Sequence, residues 1–345
     1  MLIKKIWEKA DSLRGCLSVS KMTAMESRRR YPSDEDHLNV PNLFPSDEAK
    51  LLSCKAVRVL GDKTQVFTFP KNALIRNRLA HVMEVVACSV IASELLGLNT
   101  DLVRAAAIGH DIGHVPFGHQ GEAWMAKTME RPEFCHEVMA AIIAQKIERR
   151  GQGLNLTWHT LDAMMRHSGN TARVGMSQEA WTLRYTDKFT YIFHDVNDII
   201  ERMRYPVSQE LRELIDAFGT NQRERVTTAI AGLVIESAEC GHVSFEHSEL
   251  GQKFNRLRTQ MYGVYVHVTQ QNVRYTMEPV LEFLTMLNIG DPFLLLALMT
   301  DKDVAMLASE PMKDMQAFNR TAISEIAPHL QTIGKIDLCD PDLNW

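Results

Sequence analysis

Apolar residues recur along most of the chain at the spacing of an α-helix. Met83, Val86, Val90 and Leu95 follow the 3.6-residue period and end before Gly97, a residue typical of a helix C-terminus. Further helices are predicted at about 46–57, 101–113, 134–149, 157–167 and 178–204, and the chain from 207 to 345 is again mostly helical. The pattern predicts an all-α protein.

One segment departs from the helical period. Residues 64–69, Thr-Gln-Val-Phe-Thr-Phe, are rich in β-branched and aromatic side chains and follow a break at Gly61-Asp62. They predict one small β element. The chain divides into an N-terminal extension (1–45), a core (46–205) and a mostly helical C-terminal region packed on that core (206–345).

Composition narrows the class of protein. Hydrophobic residues make up 45% and charged residues 23% of the 345 positions, as in ordinary globular proteins, and the net charge of −5 argues against broad nucleic-acid affinity. The six cysteines are scattered without a C-x-x-C pair, which argues against a zinc ribbon or a disulfide scaffold. No secretory leader or apolar run of transmembrane length is evident, so we expect a cytoplasmic protein with no membrane partner.

Side chains that could bind a metal ion are concentrated in residues 110–122, where three histidines and two carboxylates follow the apolar run 105–108. His110 and Asp111 are adjacent at a predicted helix end, and each needs a polar partner in a dry interior. A divalent metal ion would satisfy both. Eight of the 13 histidines lie between residues 81 and 194, which favours a site over isolated core histidines.

His81 and Asp187 are the candidates for the remaining ligands, because each is a polar residue among apolar neighbours on a predicted helix. For Asp187 alone, a salt bridge to Lys188 or Arg184 is an equally good interpretation. Imidazole and carboxylate ligands with positions left open for water suit a metal that acts on phosphate.

The order His…His-Asp…Asp resembles the HD superfamily of metal-dependent phosphohydrolases. The flanking sequences resemble one branch of it, the deoxyguanosine triphosphate triphosphohydrolase family, over about residues 46–205. The segments that carry this resemblance are 63–67 (KTQVF), 78–81 (RLAH), 110–122, 153–157 (GLNLT) and 187–195.

The resemblance implies that His81, His110, Asp111 and Asp187 bind a divalent cation, Mn²⁺, Mg²⁺ or a similar transition metal. It also implies cleavage of a deoxynucleoside triphosphate at the α-phosphorus, which releases the nucleoside and inorganic triphosphate. An HD-domain helical fold is expected.

Three residues of the 110–122 segment are assigned other roles by the resemblance. His119 and Glu122 are similar to the family's catalytic pair, and as residues i and i+3 they share a face of a helix. A capping interaction is the alternative for this pair. His114 matches a position that contacts phosphate or transfers a proton, and His136 is similar to a histidine that contacts the triphosphate in more distant relatives.

The substrate contacts also follow from the resemblance. Tyr191 would pack against C2′ of the sugar and exclude ribonucleotides, although ordinary core packing is an alternative for it. Asp195 and Gln65 would lie near the 3′-hydroxyl, and Lys188 and Arg78 would pair with phosphate oxygens.

The remaining assignments are less specific. Tyr262, Tyr265, His267 and Arg258 are candidates for base or phosphate contacts by composition only, whereas His159 and His167 match no role and are expected to be structural or surface residues. The family implies a homo-oligomer, often a hexamer, and single-stranded nucleic acid or a nucleotide effector is a further candidate partner. The alternative functions are an HD-type 5′-nucleotidase or phosphodiesterase, and a non-catalytic nucleotide-sensing scaffold.

Overall fold

Helices and turns account for the fold of the part of the chain that the structure describes. A computed structural model describes residues 8, 28–33, 42–173, 175–269, 272–310, 313–331, 333, 336–338 and 340, so most of the predicted N-terminal extension lies outside the described residues. The all-α prediction is confirmed. The longer helices, in chain order, are α1 (Phe44–Ser53), α2 (Lys55–Val59), α3 (Arg78–Leu96), α4 (Thr100–Gly109), α5 (Gly118–Thr128), α6 (His136–Ile142), α7 (Trp158–Arg166), α8 (Gln178–Asp195), α9 (Gln209–Asp216), α10 (Gln222–Cys240), α11 (Glu249–Val268), α12 (Arg274–Leu287), α13 (Pro292–Leu298) and α14 (Asp301–Ser309).

Shorter helical segments extend or connect these helices. π-helical turns continue α6 and α8, at Ile143–Ile147 and Val196–Arg202. The remaining short segments are Leu60–Asp62, Glu148–Gly151, Met315–Phe318, Ala322–Glu325 and Ala327–Leu330.

The predicted β element at residues 64–69 is wrong. Thr64 forms a single isolated bridge with Asn77, and residues 65–69 form bends. The backbone groups of this segment have other partners, because Arg78 Nε donates to the Thr64 carbonyl at 3.1 Å and the Thr64 amide donates to Asp301 Oδ2 at 2.9 Å. No second strand is needed to satisfy them.

Helix α3 has the predicted C-terminus, but its buried face is not the predicted one. Gly97 adopts a left-handed conformation with φ 68° as the C-cap. Val82, Val85, Ala92 and Leu96 are buried, whereas Met83 is 56% exposed. Apolar residues occur on more than one face of α3, so its periodicity does not identify the buried one.

Length and composition alone would allow α3 to cross a membrane. In the fold it packs against α4 and α8, and its buried residues include the polar side chains of Arg78 and His81. These features identify it as a helix of the protein core.

Two hydrophobic clusters share α8. Leu183 packs in a cluster with α4, α6 and the segment after residue 273, whereas Phe189 and Phe193 pack in a second cluster with α10 and α11. The region after 205 therefore contributes to both clusters. Besides the residues in these two clusters, α8 carries Asp187, Tyr191 and Asp195, all of which line one cavity.

Asp301, the first residue of α14, binds two segments beside this cavity and connects them to the C-terminal region. Its Oδ1 accepts the Phe117 amide at 3.0 Å, and its Oδ2 accepts both the amide and the hydroxyl of Thr64. Asp301 is 2% exposed, so these donors have little access to water. One side chain thus holds the segments before α3 and before α5.

We expect Asp301→Ala to lower the midpoint of urea denaturation. Each buried donor left without a partner costs on the order of 1–3 kcal/mol. The matched control is Asp216→Ala, which removes an exposed carboxylate at the end of α9. Equal midpoints for the two variants would contradict the structural role of Asp301.

Candidate metal centre

The His-Asp pair is placed by a tight turn between two helices. Helix α4 ends at Gly109, and residues 110–113 form the turn that follows. A Cβ atom at Gly113 would lie 2.0 Å from the carbonyl oxygen of His136 and 2.3 Å from the amide nitrogen of Ala140. Only glycine lets α6 approach the turn so closely, and this contact brings His136 beside Asp111.

The four predicted metal ligands come together from three parts of the chain. His81 Nε2 lies 3.1 Å from Asp187 Oδ1 and 3.8 Å from Asp111 Oδ2. His110 Nε2 lies 3.3 Å from Asp111 Oδ1 and 3.8 Å from Asp187 Oδ1. All four side chains are buried. Within the described residues, the alternative salt bridge from Asp187 to Lys188 or Arg184 is not formed, and Arg184 donates to backbone carbonyls instead.

The hydrogen bonds of His110 fit a metal ligand. Its Nδ1 lies 2.7 Å from the Ala107 carbonyl oxygen, which can only accept, so Nδ1 carries the proton and Nε2 carries a lone pair. That Nε2 is buried without a hydrogen-bond partner and faces the oxygens of Asp111 and Asp187. A lone pair directed at two carboxylates is unfavourable until a cation lies between them.

Asp111 is the most crowded carboxylate of the site. Arg78 Nη1 donates to its Oδ2 at 2.6 Å, with both side chains buried. Burial would raise the pKa of Asp111, but His110, Arg78 and His114 hold it well below its usual range. Asp111 therefore stays ionised, as a metal ligand must. Arg78, predicted to contact phosphate, has one of its guanidinium nitrogens committed to this pair.

The second carboxylate of the segment, Glu122, has different partners. Its Oε2 lies 2.9 Å from His119 Nδ1, and its Oε1 lies 2.5 Å from His114 Nδ1 and 3.3 Å from His136 Nδ1. Burial would raise the pKa of Glu122, but His114, His136 and His119 hold it well below its usual range. The His119 side chain is 75% exposed, whereas Glu122 is buried. The buried carboxylate of Glu122 thus orients the solvent-exposed imidazole of His119.

His167 is the main residue that the sequence analysis missed. It was expected to be structural or at the surface, but its Nε2 lies 3.8 Å from Asp111 Oδ1 and 3.3 Å from His136 Nε2. A signal for it exists, because Thr160, Met164 and His167 fall at i, i+4 and i+7 on the buried face of α7 and its end. His159 packs between the rings of Phe44 and Trp158, as a structural residue does.

His136 lies at the first residue of α6, with its ring stacked on that of His114 at 3.6 Å between centroids. Burial would lower the pKa of His136, but Glu137, Glu122 and Asp111 raise it to about 9. Burial and the charge of Arg78 lower the pKa of His114 to about 4. The two stacked imidazoles therefore differ in charge near neutral pH, because His136 favours its protonated form and His114 its neutral form.

A cavity of about 950 Å³ opens over these groups. Several predicted substrate-contact residues line it, together with two tyrosines that were candidates only by composition: Gln65, Arg78, His136, Tyr191, Asp195, Tyr262 and Tyr265. The hydroxyls of Tyr191 and Tyr262 lie 3.1 Å apart. Tyr265 donates its hydroxyl to Asp195 Oδ2 at 2.8 Å, and Arg76 binds the other oxygen of Asp195.

Lys188 is not among the residues that line the cavity. It lies over the ring of Tyr185, with Nζ 5.7 Å from the ring centroid. Burial and the charges of Arg184 and Arg258 lower its pKa to about 7. Two other cationic residues, Arg131 and Arg166, line the cavity and were not identified from the sequence.

Comparisons with known proteins identify the family of this chain. A family model described as "HD domain" matches residues 78–192. The chain is 33% identical over 247 residues to a deoxyguanosinetriphosphate triphosphohydrolase-like protein of Caldanaerobacter subterraneus, with 71% of each chain covered. Similarly named proteins of Clostridium tetani and Clostridium perfringens are 32% and 30% identical, over 70% and 72% of this chain and 71% and 76% of theirs.

We expect Asp187→Ala to weaken Mn²⁺ binding by about 100-fold or more. Loss of a group that merely orients a ligand typically costs about 10–100-fold in affinity, and loss of a ligand should cost at least as much. Isothermal titration calorimetry measures the effect. Asp195→Asn is the matched control, two turns along α8, and should retain the affinity. Equal affinities in wild type and Asp187→Ala would contradict the ligand assignment.

Proposed function

The chain belongs to the deoxyguanosinetriphosphate triphosphohydrolase-like family of HD-domain proteins, and on that premise we propose that it hydrolyses dGTP or other dNTPs to the deoxynucleoside and inorganic triphosphate. The HD domain and these relatives support the broader class, a metal-dependent phosphohydrolase. The observation that carries the finer proposal is the His119–Glu122 pair in the same cavity as His81, Asp111 and Asp187.

The proposed residues divide the reaction between them. His81, His110, Asp111 and Asp187 would hold a divalent cation, Mn²⁺ or Mg²⁺, which when bound polarises a phosphate oxygen and lowers the pKa of water. His119 donates Nδ1–H to Glu122, so its Nε2 is free to accept a proton from the attacking water.

The chemistry balances as a hydrolysis. The water oxygen forms a bond to the α-phosphorus as the bond to the 5′-oxygen breaks. The base takes one proton from water, and an acid returns one to the 5′-oxygen. His114 lies between Asp111 and Glu122, with Nε2 3.3 Å from Asp111 Oδ1 and Nδ1 2.5 Å from Glu122 Oε1. It is our candidate for phosphate contact or proton transfer.

The charges of the cavity support a polyphosphate substrate. Arg78, Arg131 and Arg166 line the cavity, and His136 faces it with a raised pKa. A triphosphate offers more oxygens for such groups than a monophosphate does. Lys188 stays a predicted phosphate contact, although it lies over the ring of Tyr185 and is not among the residues that line the cavity.

A tyrosine-rich wall supports a sugar site. Tyr191 and Asp195 lie one helical turn apart on α8, and Tyr262 and Tyr265 lie on α11 across from them. We assign Tyr191 to the 2′ side of the sugar, and Asp195 with Gln65 to the 3′-hydroxyl. A homo-oligomer, an effector nucleotide or single-stranded nucleic acid, and a cytoplasmic location stay predictions from the sequence.

Product analysis tests the function directly. The protein is incubated separately with each dNTP, NTP and deoxynucleoside monophosphate in Mn²⁺ or Mg²⁺, and the released phosphates are identified. Release of inorganic triphosphate from dNTPs is the expected result. Release of pyrophosphate, or of phosphate from deoxynucleoside monophosphates alone, would contradict it, and the latter would favour a 5′-nucleotidase.

His119→Ala should lower kcat by about 100- to 10,000-fold, the range typical of the loss of a general base. Metal content should not change, because His119 is not one of the four proposed ligands. Steady-state kinetics and metal analysis measure the two effects. His242→Ala, at an exposed position after α10, is the control, and near-wild-type turnover in His119→Ala would refute the base assignment.

Tyr191→Ala should raise the use of ribonucleotides relative to deoxyribonucleotides, because the ring would no longer occupy space beside C2′. The ratio of kcat/KM for GTP and dGTP measures this selectivity. Tyr191→Phe keeps the ring and removes only the hydroxyl contact with Tyr262, so its ratio should resemble that of wild type. An unchanged ratio in Tyr191→Ala would exclude the sugar role.

A further inference from the structure

We propose that Arg76 is a positioning residue of the sugar site, because its guanidinium holds the Asp195 carboxylate in place to accept the 3′-hydroxyl of the substrate. Arg76 is not among the residues that line the cavity, so it can act on a substrate only through another side chain. The inference deepens the proposed function and rests on it for the assignment of Asp195 to the sugar. It adds the residue on which the selection of a free 3′-hydroxyl depends.

Arg76 is buried at the end of a loop that is otherwise open to solvent. Residues 69–74 are exposed, whereas Arg76 is 9% exposed and lies just before α3 begins at Arg78. Burial of a guanidinium is costly unless acceptors surround it. The burial of Arg76 therefore indicates a specific set of partners in the interior.

Three carboxylates surround the Arg76 guanidinium. Nη1 binds Glu84 Oε2 of α3 at 2.7 Å, Nη2 binds Asp195 Oδ1 of α8, and Nε lies 3.5 Å from Asp198 Oδ2 in the π-helical turn that continues α8. A planar guanidinium donates in several fixed directions at once. Arg76 therefore fixes the orientation of the Asp195 side chain relative to α3 and to the end of α8.

Of the three carboxylates, that of Asp195 depends most on Arg76. The other two have a second basic partner, namely His194 for Glu84 and Arg202 for Asp198. Among the described residues, Arg76 is the one arginine, lysine or histidine that forms an ion pair with Asp195. Loss of the guanidinium would thus leave Asp195 alone among the three without a basic partner.

The charge of Arg76 also favours the form of Asp195 that accepts hydrogen bonds. Burial raises the pKa of Asp195 above its usual range, although the charge of Arg76 and the hydroxyl of Tyr265 oppose that rise. Without the guanidinium the pKa would rise further. A protonated carboxyl group would then present a donor on one oxygen in place of an acceptor.

Asp195 divides its two oxygens between Arg76 and the cavity. Oδ1 accepts from Arg76, whereas Oδ2 accepts the hydroxyl of Tyr265 at 2.8 Å, and Tyr265 lines the cavity. A carboxylate oxygen has two lone pairs, so Oδ2 can accept a substrate hydroxyl beside that of Tyr265. A nucleotide without a 3′-hydroxyl would leave this acceptor unpaired in a buried site, which is unfavourable.

Two other roles for these residues are possible in chemical terms, and the test separates them. If Arg76 only stabilises the fold, its loss would lower the use of all nucleotides alike. If Tyr265 is the residue that holds Asp195, through its bond to Oδ2, the selection would depend on that hydroxyl and not on Arg76.

Selectivity for the 3′-hydroxyl tests the proposal. The value of kcat/KM is measured for dGTP and for 2′,3′-dideoxyguanosine triphosphate (ddGTP), which lacks only this hydroxyl. Wild type should prefer dGTP by roughly 10- to 100-fold, the range for a hydrogen bond to a charged group, and Arg76→Gln should lower this preference by about 10-fold. Arg202→Gln is the matched control, because it removes the other arginine from Asp198 and leaves Asp195 paired. It should keep the wild-type preference.

A double variant tests whether Arg76 acts through Asp195. Asp195→Ala should lose the preference for dGTP, and Arg76→Gln combined with Asp195→Ala should show the same preference as Asp195→Ala alone. Two residues that serve one interaction have effects that do not add. Effects on the preference that multiply in the double variant would contradict the positioning role.

Arg76→Lys is the second variant, in case Arg76→Gln does not fold. Its ammonium keeps a positive charge but not the fixed directions of the guanidinium, so its preference should be lower than that of wild type. Equal use of dGTP and ddGTP by wild type, or the wild-type preference in every Arg76 variant that folds, would overturn the proposal. Loss of the preference in Tyr265→Phe but not in the Arg76 variants would assign the role to Tyr265.

Binding measurements separate this inference from the proposed reaction. The dissociation constants of dGTP and ddGTP, measured by calorimetry with Ca²⁺ in place of Mn²⁺, give the same comparison without turnover. Tighter binding of dGTP that depends on Arg76, with no release of triphosphate, would leave the inference standing without the proposed reaction. Release of triphosphate from dGTP and ddGTP alike would do the reverse.

Discussion

A buried carboxylate, Asp111, is the constraint on which the rest of the site depends. It is 3% exposed, and an ionised carboxylate in such a place is costly unless charged and polar groups surround it. Arg78 and His81 approach it from α3, His136 from the start of α6 and His167 from the end of α7. Three separate segments must therefore pack correctly against the turn that carries Asp111 before this one side chain is stable in its ionised form.

Two residues, Gly113 and Asp301, make this packing around Asp111 possible. Gly113 removes the side chain that would block α6, and Asp301 ties the segments at Thr64 and Phe117 to the C-terminal region. The C-terminal helices are thus part of the support of the site, although the family model matches only residues 78–192.

The two carboxylates of residues 110–122 differ in their surroundings. Asp111 contacts a guanidinium and imidazole nitrogens that face a common centre, which suits metal binding. Glu122 contacts three imidazoles, one of them on the exposed side chain of His119, which suits proton transfer. The environment, and not the residue type, separates these two roles.

The sequence by itself determined the all-α class, the approximate helix bounds and the His81, His110, Asp111 and Asp187 group. These features depend on local propensity, caps and polar residues among apolar neighbours, all of which can be recognised within a short window of the chain. The assignment of catalytic roles needed the resemblance to a family as well.

Tertiary structure alone decided the conformation of residues 64–69, the buried face of α3, and the positions of His167 and Lys188. In each case the partners are distant in sequence, as with Thr64 and Asp301, which are 237 positions apart. Hydrogen bonds to such partners override local β propensity. Burial likewise depends on which helices pack together, and a helix such as α3, apolar on several faces, does not encode that choice in its own period.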